Sequence, residues 1–286
     1  MKKLQSLKRI KRIVIKVGSS TLIRRTGKLN LSNMERIIRI ISDLHNQGIE
    51  VVLVSSGAIR FGAGKMGLKE KPEKIEEKQA LASIGQGLLM HMYEKLFFEY
   101  GITVGQLLLT RGDLEEKNRR DNARNTFETL FKYRAIPIVN ENDTVAVEEI
   151  VYGDNDTLSA VVAILINADL LVILSDIDGL YTGDPRKNDE VRKIPVVENI
   201  TEKIENIAMG AGDSFGIGGM KTKISAAKMA TEHGIFVSII EGERPEQIRD
   251  LINGKYVGTI FLPTNTRRDI SGNFKSHWAK GKKSIL

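Results

Sequence analysis

Short apolar runs alternate along this chain with longer stretches in which apolar residues recur every three or four positions. Arg12 to Val17 (RIVIKV) reads as a buried strand stopped by Gly18, Ser19 and Ser20. Ser32 with Glu35 offers a capping box. It opens a helix to about Gln47 with Met34, Ile37, Ile38, Ile41 and Leu44 on one face, closed by Gly48. Strands are predicted at Glu50 to Val54, Ile102 to Leu109, Ile136 to Val139, Leu170 to Leu174, Ile235 to Ile240 and Val257 to Leu262. Helices are predicted at Pro72 to Tyr100, Asn122 to Tyr133, Leu158 to Asn167, Thr201 to Met209, Met220 to His233 and Pro245 to Ile252. Strands alternating with helices predict an α/β fold: a three-layer αβα sandwich around a central, mostly parallel sheet. One domain is expected over residues 1–263, followed by a polar, basic tail over residues 264–286.

Composition narrows the chemistry. There is no cysteine, which excludes disulfides, zinc–thiolate sites and a thiol nucleophile and suits a reducing cytoplasm. The basic start MKKLQSLKRIKR is followed by no apolar signal core, and no run approaches the roughly 20 apolar residues of a membrane helix. A soluble, cytoplasmic protein is expected. The net charge of +7 fits either a nucleic-acid surface or an enzyme for anionic substrates. Part of the excess sits at Lys2 to Arg12 and Arg267 to Lys283, and no nucleic-acid-binding motif stands out, so anionic substrates are favoured.

Ligands of open parallel sheets bind at the C-terminal ends of strands. Four stretches fall there: KVGSS (Lys16 to Ser20), SSGA (Ser55 to Ala58), NEND (Asn140 to Asp143) and the pair Ser175 and Asp176. Lys16 interrupts a buried strand, so it either points to solvent or aims a cation at a phosphate beside the Gly-Ser turn. The loop GIGGMKTK (Gly216 to Lys223) precedes a helix. It is either a plain glycine-rich connection or a phosphate cradle supplemented by Lys221 and Lys223. Asp143 and Asn155, in NENDTVAVEEIVYGDND, are turn formers or a charge-plus-amide pair for a zwitterionic amino acid. Residues 62–67, GAGKMG, match the dinucleotide pattern but start too far past the strand, with no acidic strand end following. The P-loop pattern is absent. His45, His91, His233 and His277 lie in predicted helices or the tail, away from the strand ends.

IKVGSS, VSSGAI, KQALASIGQGLLM, NENDTVAVEEI, GDNDTLSA, LSDIDGLYTGDPR and GIGGMKTK, in this order, resemble the glutamate 5-kinases, a family within the amino acid kinase superfamily. The resemblance covers Ile13 to Leu262. It implies ATP-dependent phosphorylation of the side-chain carboxylate of L-glutamate, the first step of proline synthesis. It further implies that Lys16 and Lys223 contact the transferring phosphate and that Ser56, Asp143 and Asn155 hold glutamate. Ser175, Asp176, Ile217, Gly218, Gly219, Met220, Lys221, Thr222 and Lys223, with Lys16, hold ATP. On this reading the N-terminal part of the domain carries mainly the glutamate site and the C-terminal part mainly the ATP site. Asp156 and Asp176 are expected to orient the two lysines, because both flank the predicted phosphate loops. Mg²⁺ is expected to arrive on the ATP phosphates, with no dedicated metal ligands. The family's C-terminal PUA domain is not expected, because the chain ends at Leu286. Feedback inhibition by L-proline and a homo-oligomer, dimer or tetramer, are further expectations from the family. Neither a membrane nor nucleic acid is expected as a partner. The alternatives are a related kinase for N-acetylglutamate or aspartate, or a non-catalytic nucleotide- or RNA-binding relative.

Overall fold

The computed structural model describes residues 6–68, 72–145, 155–185, 190–210 and 219–264. The first strand, Arg12–Val17 (β1), is buried from Ile13 onward, with no alternation to a solvent face. Such a strand needs cover on both sides, and it has it. Ile13, Ile15 and Val17 contribute to one apolar layer and Val14 to the other. At its start, the Arg12 guanidinium pairs with Glu50 at 2.6 Å and Glu128 at 2.8 Å and stacks on Phe131.

The remaining elements follow in order. Helix α1 is Ser19–Leu22, α2 Leu31–Asn46, β2 Glu50–Ser55, α3 Ala58–Lys65, α4 Ile75–Phe98 and β3 Val104–Leu109. Then come α5 Arg111–Glu115, α6 Lys117–Lys132, β4 Ile136–Glu141, α7 Asn155–Leu165 and β5 Leu170–Ser175. The last part holds β6 Leu180–Tyr181, β7 Lys193–Ile194, β8 Val196–Val197, α8 Glu202–Gly210, α9 Met220–Glu232, β9 Phe236–Glu241, α10 Gln247–Ile252 and β10 Thr259–Phe261.

Eight strands form one sheet in the order β3-β4-β2-β1-β5-β9-β10-β8, and β6 pairs with β7 in a separate two-stranded ribbon. From β3 to β9 every pairing is parallel; only β10 runs against β9. One face packs α6, α7 and α9 through Phe127, Val161 and Ala227. The other packs α2, α4 and α10 through Ile38, Tyr93 and Ile248. The predicted three-layer sandwich is therefore present. The chain leaves β1 toward β2 on one side and later returns to place β5 on the other. That reversal opens a crevice beyond the C-terminal ends of β1 and β5.

One local expectation needs correction. Helix α2 starts at Leu31 rather than after Ser32, and its N-cap, Asn30, makes no side-chain capping bond. The Asn30 amide is already bonded to the Leu22 carbonyl at 2.7 Å, which starts the helix before the Ser32–Glu35 box can act. A capping box does form at Thr110 and Asp113, at the head of α5. The GAGKMG stretch, discounted as a dinucleotide loop on its spacing, falls in helix α3 and the turn that ends it. Gly62 and Gly64 lie inside α3, where a Cβ on Gly62 would stand 2.0 Å from the Leu81 carbonyl oxygen of α4. Gly62 lets the two helices touch backbone to backbone, and Gly64 does the same against the turn at Gly27. Of the predicted basic tail, residues 264–286, all but Thr264 lies outside the described residues.

Candidate active site

Position 16 has the parity of Val14, so its side chain joins the layer of α7 and α9. There Lys16 is 7% exposed, and its Nζ meets Asp156 Oδ1 at 2.6 Å. The solvent-facing alternative for Lys16 is thereby excluded. Asp156 sits in the first turn of α7 and is wholly buried. Its second oxygen, Oδ2, lies 3.3 Å from Lys223 Nζ and accepts from the Thr222 hydroxyl at 2.8 Å. Lys223 is 6% exposed on the first turn of α9. One carboxylate thus gathers two ammonium groups that are more than 200 positions apart in the chain.

Burial alone would raise the Asp156 carboxyl pKa. Lys16, Lys223 and the hydrogen bonds from Lys16 and Thr222 outweigh it and hold the group down from its ordinary 3.8 to about 2. A pKa depressed by folding stabilises the protein above the unfolded value, near 4, and that stability is lost as pH falls through about 2. We expect the wild-type melting temperature to fall more steeply from pH 5 to pH 2 than that of Asp156→Asn. Parallel declines would show that this carboxylate contributes nothing to acid sensitivity.

The trio carries one net positive charge where water is excluded, a setting suited to a polyanion. Gly18 closes over it. A Cβ there would lie 3.7 Å from Lys16 Nζ, so the Gly18–Ser20 turn and the lysine share one small space. Gly219 is the N-cap of α9, and exposed Lys221 and half-buried Met220 lie on its first turn. A helix N-terminus offers N–H groups that have no partner within the helix, and partial positive charge. Ile217 and Gly218 lie outside the described residues.

Next to Asp156, Asn155 turns toward the end of β2. Its Nδ2 lies 2.7 Å from the Ser55 carbonyl, 2.8 Å from Ser56 Oγ and 2.8 Å from Asn140 Oδ1. Three acceptors around one nitrogen fix the orientation of the amide. Its Oδ1 is consequently a buried acceptor with no hydrogen-bond partner among the described residues, although Asn155 is only 8% exposed. Asn140 is held in turn, its Nδ2 donating to Gln86 Oε1 of α4 at 2.7 Å. Below them the buried Tyr93 hydroxyl meets Ser55 Oγ at 2.8 Å. Burial raises the pKa of that phenol well above its usual range, so it stays neutral.

The structure therefore brings together Lys16, Asp156, Thr222 and Lys223, and separately Ser56 and Asn155. Asp143 is half-buried in the turn that follows β4. Ser175 is buried at the end of β5, and its hydroxyl lies 3.2 Å from Asp176 Oδ1. Asp176 is exposed, and among the described residues the carboxylate shown in contact with both lysines is that of Asp156. Asp176 stands one residue beyond the strand, on the rim, where water reaches it. Gln86 and Tyr93 carry no role in the sequence reading, and Asn140 enters it only as the first residue of the NEND stretch. Gln86 and Asn140 could have been found as amides placed in otherwise apolar helix and strand faces. His45 and His233 lie where α2 and α9 lead toward the starts of β2 and β9, the opposite end of the sheet, and His91 is exposed on α4. His277 lies outside the described residues.

The chain is similar to known proteins in sequence and in fold. The model of the amino acid kinase family matches residues 11–241. A glutamate 5-kinase of Clostridium acetobutylicum is 56% identical over 91% of this chain and 97% of its own length. Another, of Clostridium tetani, is 55% identical over 89% of this chain and 96% of its own length. Among solved structures, the UMP kinase of Bacillus anthracis superposes with a TM-score of 0.60 at 18% identity, covering 90% of this chain and 97% of that one. The isopentenyl phosphate kinase of T. acidophilum gives 0.56 at 19% identity, covering 87% and 99%. At such identities these two speak for the fold alone. With a buried lysine–aspartate–lysine cluster at the strand ends and a family match over most of its length, the chain belongs to the amino acid kinase family.

Proposed function

We propose that the protein is a glutamate 5-kinase, transferring the γ-phosphoryl group of ATP to the side-chain carboxylate of L-glutamate. The observation that carries the reading is the Asp156 carboxylate holding Lys16 and Lys223 beside the amide of Asn155. The close similarity to glutamate 5-kinases supports the choice of substrate.

A glutamate side chain in water loses its proton at about pH 4.3 and is already ionised at neutral pH. No general base is needed. One carboxylate oxygen attacks the γ-phosphorus, the bond from that phosphorus to the bridging oxygen breaks, and ADP leaves with the electron pair. The obstacle is repulsion between two anions, so the protein's task is positioning and charge neutralisation. Lys16 and Lys223 meet the charge on the transferring group, and Asp156 keeps both amines pointed at one place. Asp156 is occupied by two ammonium groups and a hydroxyl, a donor set that fits ammonium binding rather than a resident metal. Magnesium carried on the ATP phosphates supplies further neutralisation when bound. Ser175, Asp176 and residues 217 to 223 are assigned to ATP on the β5 and α9 side. Ser56, Asp143 and Asn155 are assigned to glutamate on the β2 and β4 side. That division places the glutamate site mainly in the N-terminal part of the domain and the ATP site mainly in the C-terminal part.

The unpartnered Asn155 Oδ1 supports recognition of the substrate ammonium, with Asp143 as its counter-charge. Asp143→Ala is expected to raise the KM for glutamate at least about tenfold, the size of one charged hydrogen bond, while the KM for ATP moves less than threefold. Equal changes in both constants would remove Asp143 from the pocket. The activity is tested by glutamate-dependent ADP release, with hydroxylamine trapping the acyl phosphate and N-acetylglutamate and aspartate run beside it. Turnover with either of those, and none with glutamate, would overturn the reading. The same reading carries L-proline as feedback inhibitor, a homo-oligomeric state and a cytoplasmic location. Among the described residues no helix is long and apolar enough to cross a membrane. Proline titration of the assay and sedimentation of the pure protein test the first two.

A further inference from the structure

Asn33 lies in the first turn of α2, 2% exposed, outside every motif the sequence singles out. A buried amide is costly unless its groups are bonded, and this one is only half satisfied. Its Nδ2 donates to the Gly242 carbonyl at 2.9 Å and reaches the Thr21 carbonyl at 3.3 Å, while its Oδ1 has no partner among the described residues. An apolar side chain would avoid the orphaned oxygen, so the value of asparagine here lies in the two bonds it donates.

Those bonds join two different parts of the site. Thr21 belongs to α1, the short helix that continues the Gly18–Ser20 turn over Lys16. Gly242 follows β9, and its N–H donates to the Ser175 carbonyl at 2.6 Å, at the end of β5. The two segments also touch directly. A Cβ on Gly242 would lie 2.5 Å from Thr21 Oγ1 and 3.2 Å from the Ser175 carbonyl oxygen. Only a residue without a side chain lets them close, and Asn33 ties them from beneath.

We propose that Asn33 is a positioning residue for phosphoryl transfer, clasping the Gly18–Ser20 turn to the ends of β5 and β9 so that the turn, Lys16 and the nucleotide side keep one register. This rests on the proposed kinase reading. A register error of about 1 Å can cost about a hundredfold in rate while leaving substrate binding nearly unchanged. The clasp therefore belongs to kcat rather than to KM.

The test uses Asn33→Leu, which removes both donors, and Asn33→Asp, which keeps the shape and turns an oxygen toward the two carbonyls. Both are compared with wild type by kcat per mole of folded protein, KM for each substrate and melting temperature. The expected result is a fall in kcat of at least about thirtyfold in both variants, with KM values within threefold. In Asn33→Asp the ratio of kcat to wild type should rise as pH falls, because a protonated carboxyl can donate one of the lost bonds. A role in stability alone would lower the melting temperature but leave kcat of the folded protein and that ratio unchanged, which would overturn the proposal. Should Asn33→Leu not fold, the pH-dependent ratio in Asn33→Asp decides by itself. Should wild type turn over no glutamate, the kinase reading fails first. The clasp is then judged by calorimetry with Mg·ADP plus aluminium fluoride, a mimic of the transferring phosphoryl group. A loss of the tightening over Mg·ADP alone in the variants supports the clasp, and equal tightening in variants and wild type overturns it.

Discussion

Asp156→Asn should lower kcat by about a thousandfold or more and at the same time destabilise the folded protein. The two effects have one origin. Asp156 lies between Lys16 Nζ at 2.6 Å and Lys223 Nζ at 3.3 Å, and all three groups are buried. An amide still offers an oxygen to Thr222 but no longer balances two ammonium charges. Removing one partner from a buried ion pair typically costs about 3–5 kcal/mol. Loss of a single charge-stabilising donor in an active site costs about a hundred- to a thousandfold in rate, and here two donors lose their orientation together. The lysines, no longer drawn to a common point, will repel one another. Mg·ATP should restore more melting temperature to the variant than to wild type, because phosphate replaces the missing negative charge. Combining Asp156→Asn with Lys16→Met should cost much less than the sum of the two single changes, since the carboxylate acts through the lysine. A kcat within threefold of wild type, or strictly additive losses, would mean that the amines find their positions without Asp156.

How the chain announces this site differs from element to element. Apolar runs such as RIVIKV and LLVILS identify the parallel strands because a strand covered on both faces has no polar side to confuse the pattern. The ends of those strands then name Ser56, Ser175 and Lys16 as neighbours of a crevice. The joining of Lys16 to Lys223 through Asp156 is a different matter. It depends on α7 returning over β1 and on α9 lying beside α7, a tertiary fact that no local spacing encodes. Asp176 shows the same limit from the other side. It directly follows the end of β5, and its exposure on the rim is again set by packing that no local spacing encodes. Asn33 and Gln86 give only a weak signal for a third reason: each is an amide on a helix whose buried positions are mainly apolar. Only a distant part of the chain, the Gly242 carbonyl in one case and the Asn140 side-chain amide in the other, explains them.

Position 85 puts local preference and packing in direct opposition. By helix propensity alone, Gly85→Ala in the interior of α4 should stabilise by about 1 kcal/mol. The structure demands the reverse sign. A Cβ on Gly85 would lie 1.8 Å from the Ala58 carbonyl oxygen and 2.7 Å from the Gly62 nitrogen, and a Cβ on Gly62 would meet the Leu81 carbonyl oxygen at 2.0 Å. Every one of these neighbours is backbone, so no flexible side chain can swing aside and α3 must move away from α4. Overpacking of this kind costs at least about 3 kcal/mol, which outweighs the gain in propensity. The displacement should also reach the glutamate pocket. Ala58 follows Ser56 by two residues, and Ser56 Oγ lies 2.8 Å from Asn155 Nδ2. Gly85 precedes Gln86, whose Oε1 holds Asn140 at 2.7 Å. Separating the helices pulls both supports of the Asn155 amide, so the KM for glutamate should rise more than tenfold while that for ATP stays within threefold. Gly87→Ala is the control on the same helix. A Cβ there meets nothing within 4 Å, so the propensity gain acts alone and urea unfolding should show unchanged or slightly higher stability. If both alanine variants unfold at the same urea concentration as wild type, the two helices are not in backbone contact, and the route from α4 to the pocket is lost with it.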